Sequence, residues 1–174
     1  MPKLTTQRLV LRPIRPADVD ALHRFWTDPA IRKYLWDNEI ISREMVVDIV
    51  RDSEQCFREL GCGLFAVELA EAPGRLAGFC GLRRMGSGSD VELLYGILPR
   101  YWGEGLVSEA VREVLRHGLE ECGLDRIMGA TDTPNQRSVR VMQRVGMVFE
   151  ERRQHKGLDT VFYSISPKEL ARTG

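Results

Sequence analysis

The stretch with the clearest chemical content is Leu98-Pro-Arg-Tyr-Trp-Gly-Glu-Gly-Leu-Val-Ser-Glu-Ala110. The apolar run before it, Val91 to Ile97, reads as a buried strand, and the turn opens directly into an amphipathic helix. Gly103 and Gly105 let the backbone approach an anion closely. The first amides of a helix have no partner within it, and together with the helix dipole they form a site for phosphate. Each charge-assisted bond to a phosphate oxygen contributes roughly 1.5–3 kcal/mol. The turn is not a Walker loop, because no Gly-Lys-Ser/Thr follows it, and it lacks the third glycine of the dinucleotide fingerprint. On spacing alone, a plain strand–helix turn stays open beside the phosphate reading.

Other residues with chemical potential lie on both sides of this turn. Asn135 follows Pro134 at a position suited to capping a helix. Ser138 lies three residues on, on nearly the same side of that helix. Arg137, Arg140 and Arg144 share one side of it, as a solvated face or as an anion contact. Glu92 opens the central strand, either as an exposed strand-end residue or as a base. The four cysteines, Cys56, Cys62, Cys80 and Cys122, form no CxxC pair, and His23, His117 and His155 do not stand at ligand spacing from them. Reduced thiols and no metal are expected.

These residues need a scaffold, and the pattern supplies one. Arg8 to Pro13 reads as a first strand, followed by helices from Pro16 to Trp26 and from Ala30 to Leu35. Ser42 caps a longer helix that Gly61 and Gly63 end. Strands at Gly63–Leu69 and Leu76–Leu82 are joined through Ala72-Pro73-Gly74. After Val91–Ile97 come a helix from Val107 to Cys122, a strand from Arg126 to Ala130 and a helix from Asn135 to Val145. Strands at Met147–Arg152 and Thr160–Ile165 close the chain. The order predicts a mixed sheet with helices packed on it.

The 174 residues suit a single domain spanning 1–174, with 43% hydrophobic and 29% charged residues, as in ordinary globular proteins. Lys+Arg and Asp+Glu are both 25, so zero net charge argues against a dedicated nucleic-acid binder. The polar N-terminus is no signal peptide, and no apolar run approaches the roughly 20 residues of a membrane span. A cytoplasmic domain is the expectation. The oligomeric state stays open, a homodimer included.

Trp102-Gly-Glu-Gly105-Leu-Val107 resembles the Gln/Arg-x-x-Gly-x-Gly/Ala motif of the GNAT superfamily of acetyl-CoA-dependent N-acetyltransferases. Trp102 stands in place of Gln/Arg and Val107 in place of the small residue. Tyr101-Trp102-Gly103-x-Gly105 followed by Ser108-Glu109-Ala110 is similar to the branch named for the RimJ and RimL ribosomal-protein acetyltransferases. The opening Thr5-Thr-Gln-Arg-Leu-Val-Leu-Arg-Pro13 with Asp18, the Asn135-x-x-Ser138 helix ending at Gly146-Met147, and Lys156-Gly157 with Tyr163-Ser164 extend the resemblance over nearly the whole chain.

The resemblance implies an α/β fold with a central mixed, mostly antiparallel sheet of about seven strands, splayed in the middle, with helices on both faces. It implies transfer of acetyl from acetyl-CoA to a primary amine by direct attack in a ternary complex, without a metal. Backbone groups of Tyr95, Gly96 and Ile97 would meet the pantetheine arm like a missing strand. Amides from Gly103, Glu104, Gly105, Leu106 and Val107 would hold the pyrophosphate, with Trp102 beside them as a ligand contact or a seal on the core. Asn135 would touch coenzyme A, and the arginines its 3′-phosphate. Glu92 would be the base, often acting through water. Met142 occupies the place of the superfamily's tyrosine acid, so an acid, if the reaction needs one, would be Ser138 or a water it orients. The acceptor is a protein N-terminal α-amine or a small-molecule amine, with Trp26, Tyr34 and Trp36 as candidate liners. A catalytically degenerate coenzyme A-binding module is the alternative.

Overall fold

The computed structural model describes residues 1–173. Eight strands form one sheet: β1 (Leu4–Thr5), β2 (Leu9–Pro13), β3 (Leu64–Leu69), β4 (Gly78–Arg84), β5 (Val91–Ile97), β6 (Ile127–Asp132), β7 (Val148–His155) and β8 (Leu158–Ile165). Their order is β1-β2-β3-β4-β5-β6-β8-β7. Every neighbouring pair is antiparallel except β5 and β6. The helices are α1 (Val19–Thr27), α2 (Pro29–Arg32), α3 (Arg43–Leu60), α4 (Leu106–Arg116), α5 (Gln136–Arg144) and α6 (Pro167–Ala171). The mixed, mostly antiparallel sheet with helices is the expected architecture, with eight strands in place of about seven. The additional one, β1, pairs only Leu4 and Thr5 with β2.

Two apolar clusters cover the two faces of the sheet. One gathers α4 and the Met142 side of α5 against Leu82, Leu93 and Ile127. The other gathers α1 and α3, through Leu22, Trp26, Val46 and Val50, against Ala66 and Phe79. The side-chain oxygen of Ser42 accepts from the Met45 amide at 3.1 Å and starts α3 as expected, and Gly61, at φ 76°, ends it. The segment from Pro16 begins as one 3-10 turn before α1 takes over at Val19. Other boundaries differ further from the sequence reading. Strand β4 starts at Gly78, two residues after the expected Leu76, because Leu76 instead packs beside the α1–α3 cluster. At Gly78 any Cβ would stand 2.2 Å from the Gly96 carbonyl oxygen, so only glycine lets β4 lie this close to β5. The second short helix ends at Arg32 rather than Leu35. Helix α6, unforeseen, carries a capping box between Ser166 and Glu169.

The parallel pair decides the shape of the molecule. Strands β5 and β6 share one paired position, Glu92 with Met128. Beyond it they diverge, while β5 stays fully paired to β4 from Val91 to Ile97 on its other side.

Far from this splay, Arg12 on β2 ties the start of α1 to β3. Its guanidinium donates to both Asp18 carboxylate oxygens at 2.8 Å and to Glu68 at 2.8 Å. Asp18 is 8% exposed and also accepts from the Arg15 amide at 2.9 Å. Burial works against its charge, but the bonds from Arg12 and Arg15 outweigh it and hold the carboxyl below its usual pKa. A depressed folded-state pKa means this stabilisation is complete above the unfolded-state value, about 3.9, and is lost as pH falls through the lower folded value. Asp18→Asn should therefore cost about 1–3 kcal/mol in denaturant unfolding at pH 7, because it leaves Arg12 paired only to Glu68. The gap between variant and parent should narrow below pH 4. An equal gap at pH 7 and pH 3 would show that the carboxylate charge is not what holds this corner.

Candidate active site

The splay opens into a cleft of about 630 Å³. One wall is β5 from Leu93 to Ile97, and the other is Ala130 and Thr131 of β6 with the first turns of α5. Its floor is the turn from Tyr101 to Gly105 and the start of α4, and Ala30, Ile31, Tyr34 and Leu35 close the far end.

The glycine turn is built as its residues require. After a 3-10 turn at Pro99–Tyr101, Gly103 and Gly105 take left-handed conformations at φ 82° and 76°. Most other residues resist that conformation. Gly105 stands at the N-cap of α4, and no side chain caps the helix. The first amides of α4 therefore face the cleft as free donors, where the positive end of the helix dipole lies. The Trp102 indole donates to the Ile97 carbonyl at 3.0 Å, and the Arg137 guanidinium stacks 3.5 Å from the centre of the same ring. Trp102 thus seals the turn to the end of β5 and anchors α5 across the cleft. Its bond occupies the Ile97 carbonyl, one of the backbone groups expected to meet the pantetheine arm. Arg140 and Arg144 lie on the same wall as Arg137. The arginines are all exposed, so the solvated face also borders the cleft and gives it a cationic side.

A clamp not foreseen from the sequence fixes this helix terminus. Glu109, in the first turns of α4, accepts from Thr6 Oγ1 at 2.5 Å, from the Arg8 amide at 2.9 Å and from Arg8 Nε at 2.7 Å. Arg8 also donates to the Glu104 carbonyl at 3.0 Å. Burial opposes the Glu109 charge, but the bonds from Thr6 and Arg8 outweigh it and its pKa lies below the ordinary value. The sequence shows Arg8 and Glu109 as parts of separate motifs, and only the fold brings them together.

Tyr95, Gly96, Ile97, Trp102, Gly103, Gly105, Leu106, Val107, Asn135 and Ser138 all line the cleft, whereas Glu104 and Glu92 do not. Glu104 contributes its carbonyl to Arg8 and keeps its side chain exposed. Glu92 pairs with Arg83 of β4 at 2.5 Å, at the closed end of the splay. Asn135 caps α5, accepting from the Ser138 amide at 3.4 Å, and gives one amide proton to Thr131 at 3.0 Å. Of the expected liners, Tyr34 faces the cleft, Trp26 is buried in the core, and Trp36 packs edge-on against Trp26. All four cysteines are free thiols, and among the described residues no cluster suits a metal ion.

Free helix-start amides beside three arginines suit a ligand with several phosphates. Gly105→Val should weaken coenzyme A binding at least tenfold, because valine strains the left-handed N-cap and fills the approach to these amides. Calorimetric titration of both proteins checks this. Equal affinity would rule out the turn as the phosphate site.

Comparison with known proteins agrees with this geometry. Residues 8–148 match the model of the acetyltransferase (GNAT) domain family. The uncharacterized N-acetyltransferase YoaA of Bacillus subtilis is 26% identical over 97% of this chain and 99% of its own length. The crystal structure of an acetyltransferase from Agrobacterium tumefaciens has the same fold, with a TM-score of 0.81 and 21% identity over 95% of this chain and 94% of that one. So does RimL, a ribosomal α-N-protein acetyltransferase in complex with coenzyme A, with a TM-score of 0.76 and 18% identity over 94% of this chain and 96% of that one. The splayed sheet, the uncapped glycine turn and the family match together place this chain in the GNAT acetyltransferase family.

Proposed function

We propose that the chain transfers the acetyl group of acetyl-CoA to an α-amine, that of a protein N-terminus or of a small α-amino compound. The observation that carries the choice of acceptor is the make-up of the cleft wall. Among the described residues, no carboxylate and no imidazole lines it, and its titratable side chains are tyrosines and arginines. An attacking amine must be neutral. At pH 7 an α-amine of pKa about 7.8 loses about 1 kcal/mol to protonation, and a lysine-like amine of pKa about 10.4 loses about 4.6 kcal/mol. A cleft without a base suits the amine that arrives neutral most easily.

The residues fit this chemistry. The α4 amides and the Arg137 side of the cleft would hold the phosphates, and the unpaired edge of β5 would take the pantetheine arm as an added strand. Holding thioester and amine together supplies the larger part of the rate, since proximity can be worth several kcal/mol. Glu92, bound to Arg83 outside the cleft wall, fits a strut between β4 and β5 better than a base.

Release of free coenzyme A thiol over a panel of N-terminal peptides, amino acids, polyamines and aminoglycosides tests the proposal. The highest kcat/KM should fall on an α-amine, and it should rise with pH through the amine's own pKa, near 7.8, and then level off. Glu92→Gln should change kcat/KM by less than about tenfold, below the usual range for a lost general base. A polyamine preferred over every α-amine would overturn the acceptor assignment, and a hundredfold loss in Glu92→Gln would return the base role to that residue.

A further inference from the structure

The cleft holds a phenol that the functional reading leaves unused. Tyr95 lies three residues past the last paired position of β5 and β6. Its hydroxyl reaches across the splay to the first turn of α5, 2.5 Å from Ser138 Oγ and 3.2 Å from the Ser138 carbonyl oxygen. Asn135 holds the Ser138 amide at 3.4 Å, so this turn of α5 is fixed on both sides. Met142, farther along α5, is 1% exposed in the core and has no proton to give.

Two hydroxyls sharing one short contact must divide their protons. Only one proton can lie between the two oxygens. If the Ser138 hydroxyl donates to the Tyr95 oxygen, the phenolic proton rests on the Ser138 carbonyl, the longer of the two contacts. From there it is the one free to swing into the cleft. A phenol, of ordinary pKa about 10, is also the better match to a leaving thiol of about 8.5. Burial, only partly offset by Ser138, raises the phenol, which widens its gap to the thiol but keeps it protonated throughout the neutral range.

Resting on the acetyltransfer reading, we propose that Tyr95 is the proton donor to the departing thiolate and that Ser138 is the residue that positions it. As the carbon–sulfur bond of the thioester breaks, its electron pair goes to sulfur and the phenolic proton of Tyr95 follows. The phenolate left behind accepts from the Ser138 hydroxyl. The surplus proton on the nascent amide nitrogen leaves to solvent, and solvent reprotonates Tyr95. The donor thus comes from the strand wall of the splay, opposite the helix that carries Met142.

A bond spanning the splay also has a purely mechanical reading, as a strut holding α5 to β5, and the two differ in what they affect. With the best acceptor of the panel, Tyr95→Phe should lower kcat between tenfold and about a hundredfold, near the low end of general-acid effects because a thiol leaves readily. Its calorimetric Kd for acetyl-CoA should stay within about threefold of the parent. Ser138→Ala should cost less than about tenfold in kcat, and the double variant should be no slower than Tyr95→Phe alone, because Ser138 acts through Tyr95. A Tyr95→Phe kcat within threefold of the parent would overturn the proposal. So would a loss confined to Kd or to the melting temperature, or strictly additive losses in the double variant. If the parent itself releases no thiol with any acceptor, the acetyltransfer reading falls and this proposal falls with it.

Discussion

One constraint organises the site: β5 and β6 are parallel neighbours that pair at a single position, Glu92 with Met128. A continuous parallel ladder would bury these backbone groups against each other. Here the strands separate, and the unpaired edge of β5 forms one wall of the cleft. An unpaired edge inside a sheet leaves backbone donors and acceptors open, a cost most folds avoid. It is tolerable because β4 holds β5 over its full length, with Gly78 allowing the close approach. The Arg83–Glu92 pair fixes the two strands at the end where the opening begins. The result is a strand-shaped groove, suited to an extended chain with amides of its own.

The groove is useful only if the other binding groups stay aligned with it, and two contacts do this from opposite sides. Trp102 joins the glycine turn to the end of β5 and carries Arg137 on its face. Glu109 joins the first turns of α4 to Thr6 and Arg8 at the beginning of the sheet. Gly103 and Gly105 are conformationally the loosest residues of the turn, yet the turn is enclosed by charge-assisted bonds, which are roughly twice as strong as neutral ones. Flexibility in the residue type and rigidity in its surroundings together give a preorganised set of amides.

The sequence made the local features legible and left the long-range ones hidden. Periodicity located α3, α4 and β5, and the glycine pair marked the uncapped turn at the start of α4, because each signal lies within one segment. Asn135 was readable as a cap for the same reason. The Arg8–Glu109 clamp and the Tyr95–Ser138 contact join residues from distant segments, and no spacing rule reports them. Glu92 shows the converse. A carboxylate at the start of a central strand suggests a base, and only the β4–β5 register shows that it also pairs with Arg83. Helix α6 did carry a readable mark, Ser166-Pro-Lys-Glu169, the sequence form of a capping box.

The electrostatics of the cleft bind donor and acceptor requirements together. Arg137, Arg140 and Arg144, with the α4 terminus, give this wall a positive field. That field attracts phosphate, and it also disfavours an ammonium ion, because a nearby like charge lowers the pKa of an amine. An amine entering such a cleft meets pressure to shed its proton, with no carboxylate on the wall to stabilise the charged form. The effect is small for an α-amine, which needs little help at neutral pH, and falls far short of what a lysine-like amine requires. Bound phosphates would neutralise part of the field, so this pressure depends on which partner is already in place. The same arginines that would hold the donor would therefore bias the acceptor, and an acidic wall built to capture polycations is the arrangement this cleft lacks among its described residues.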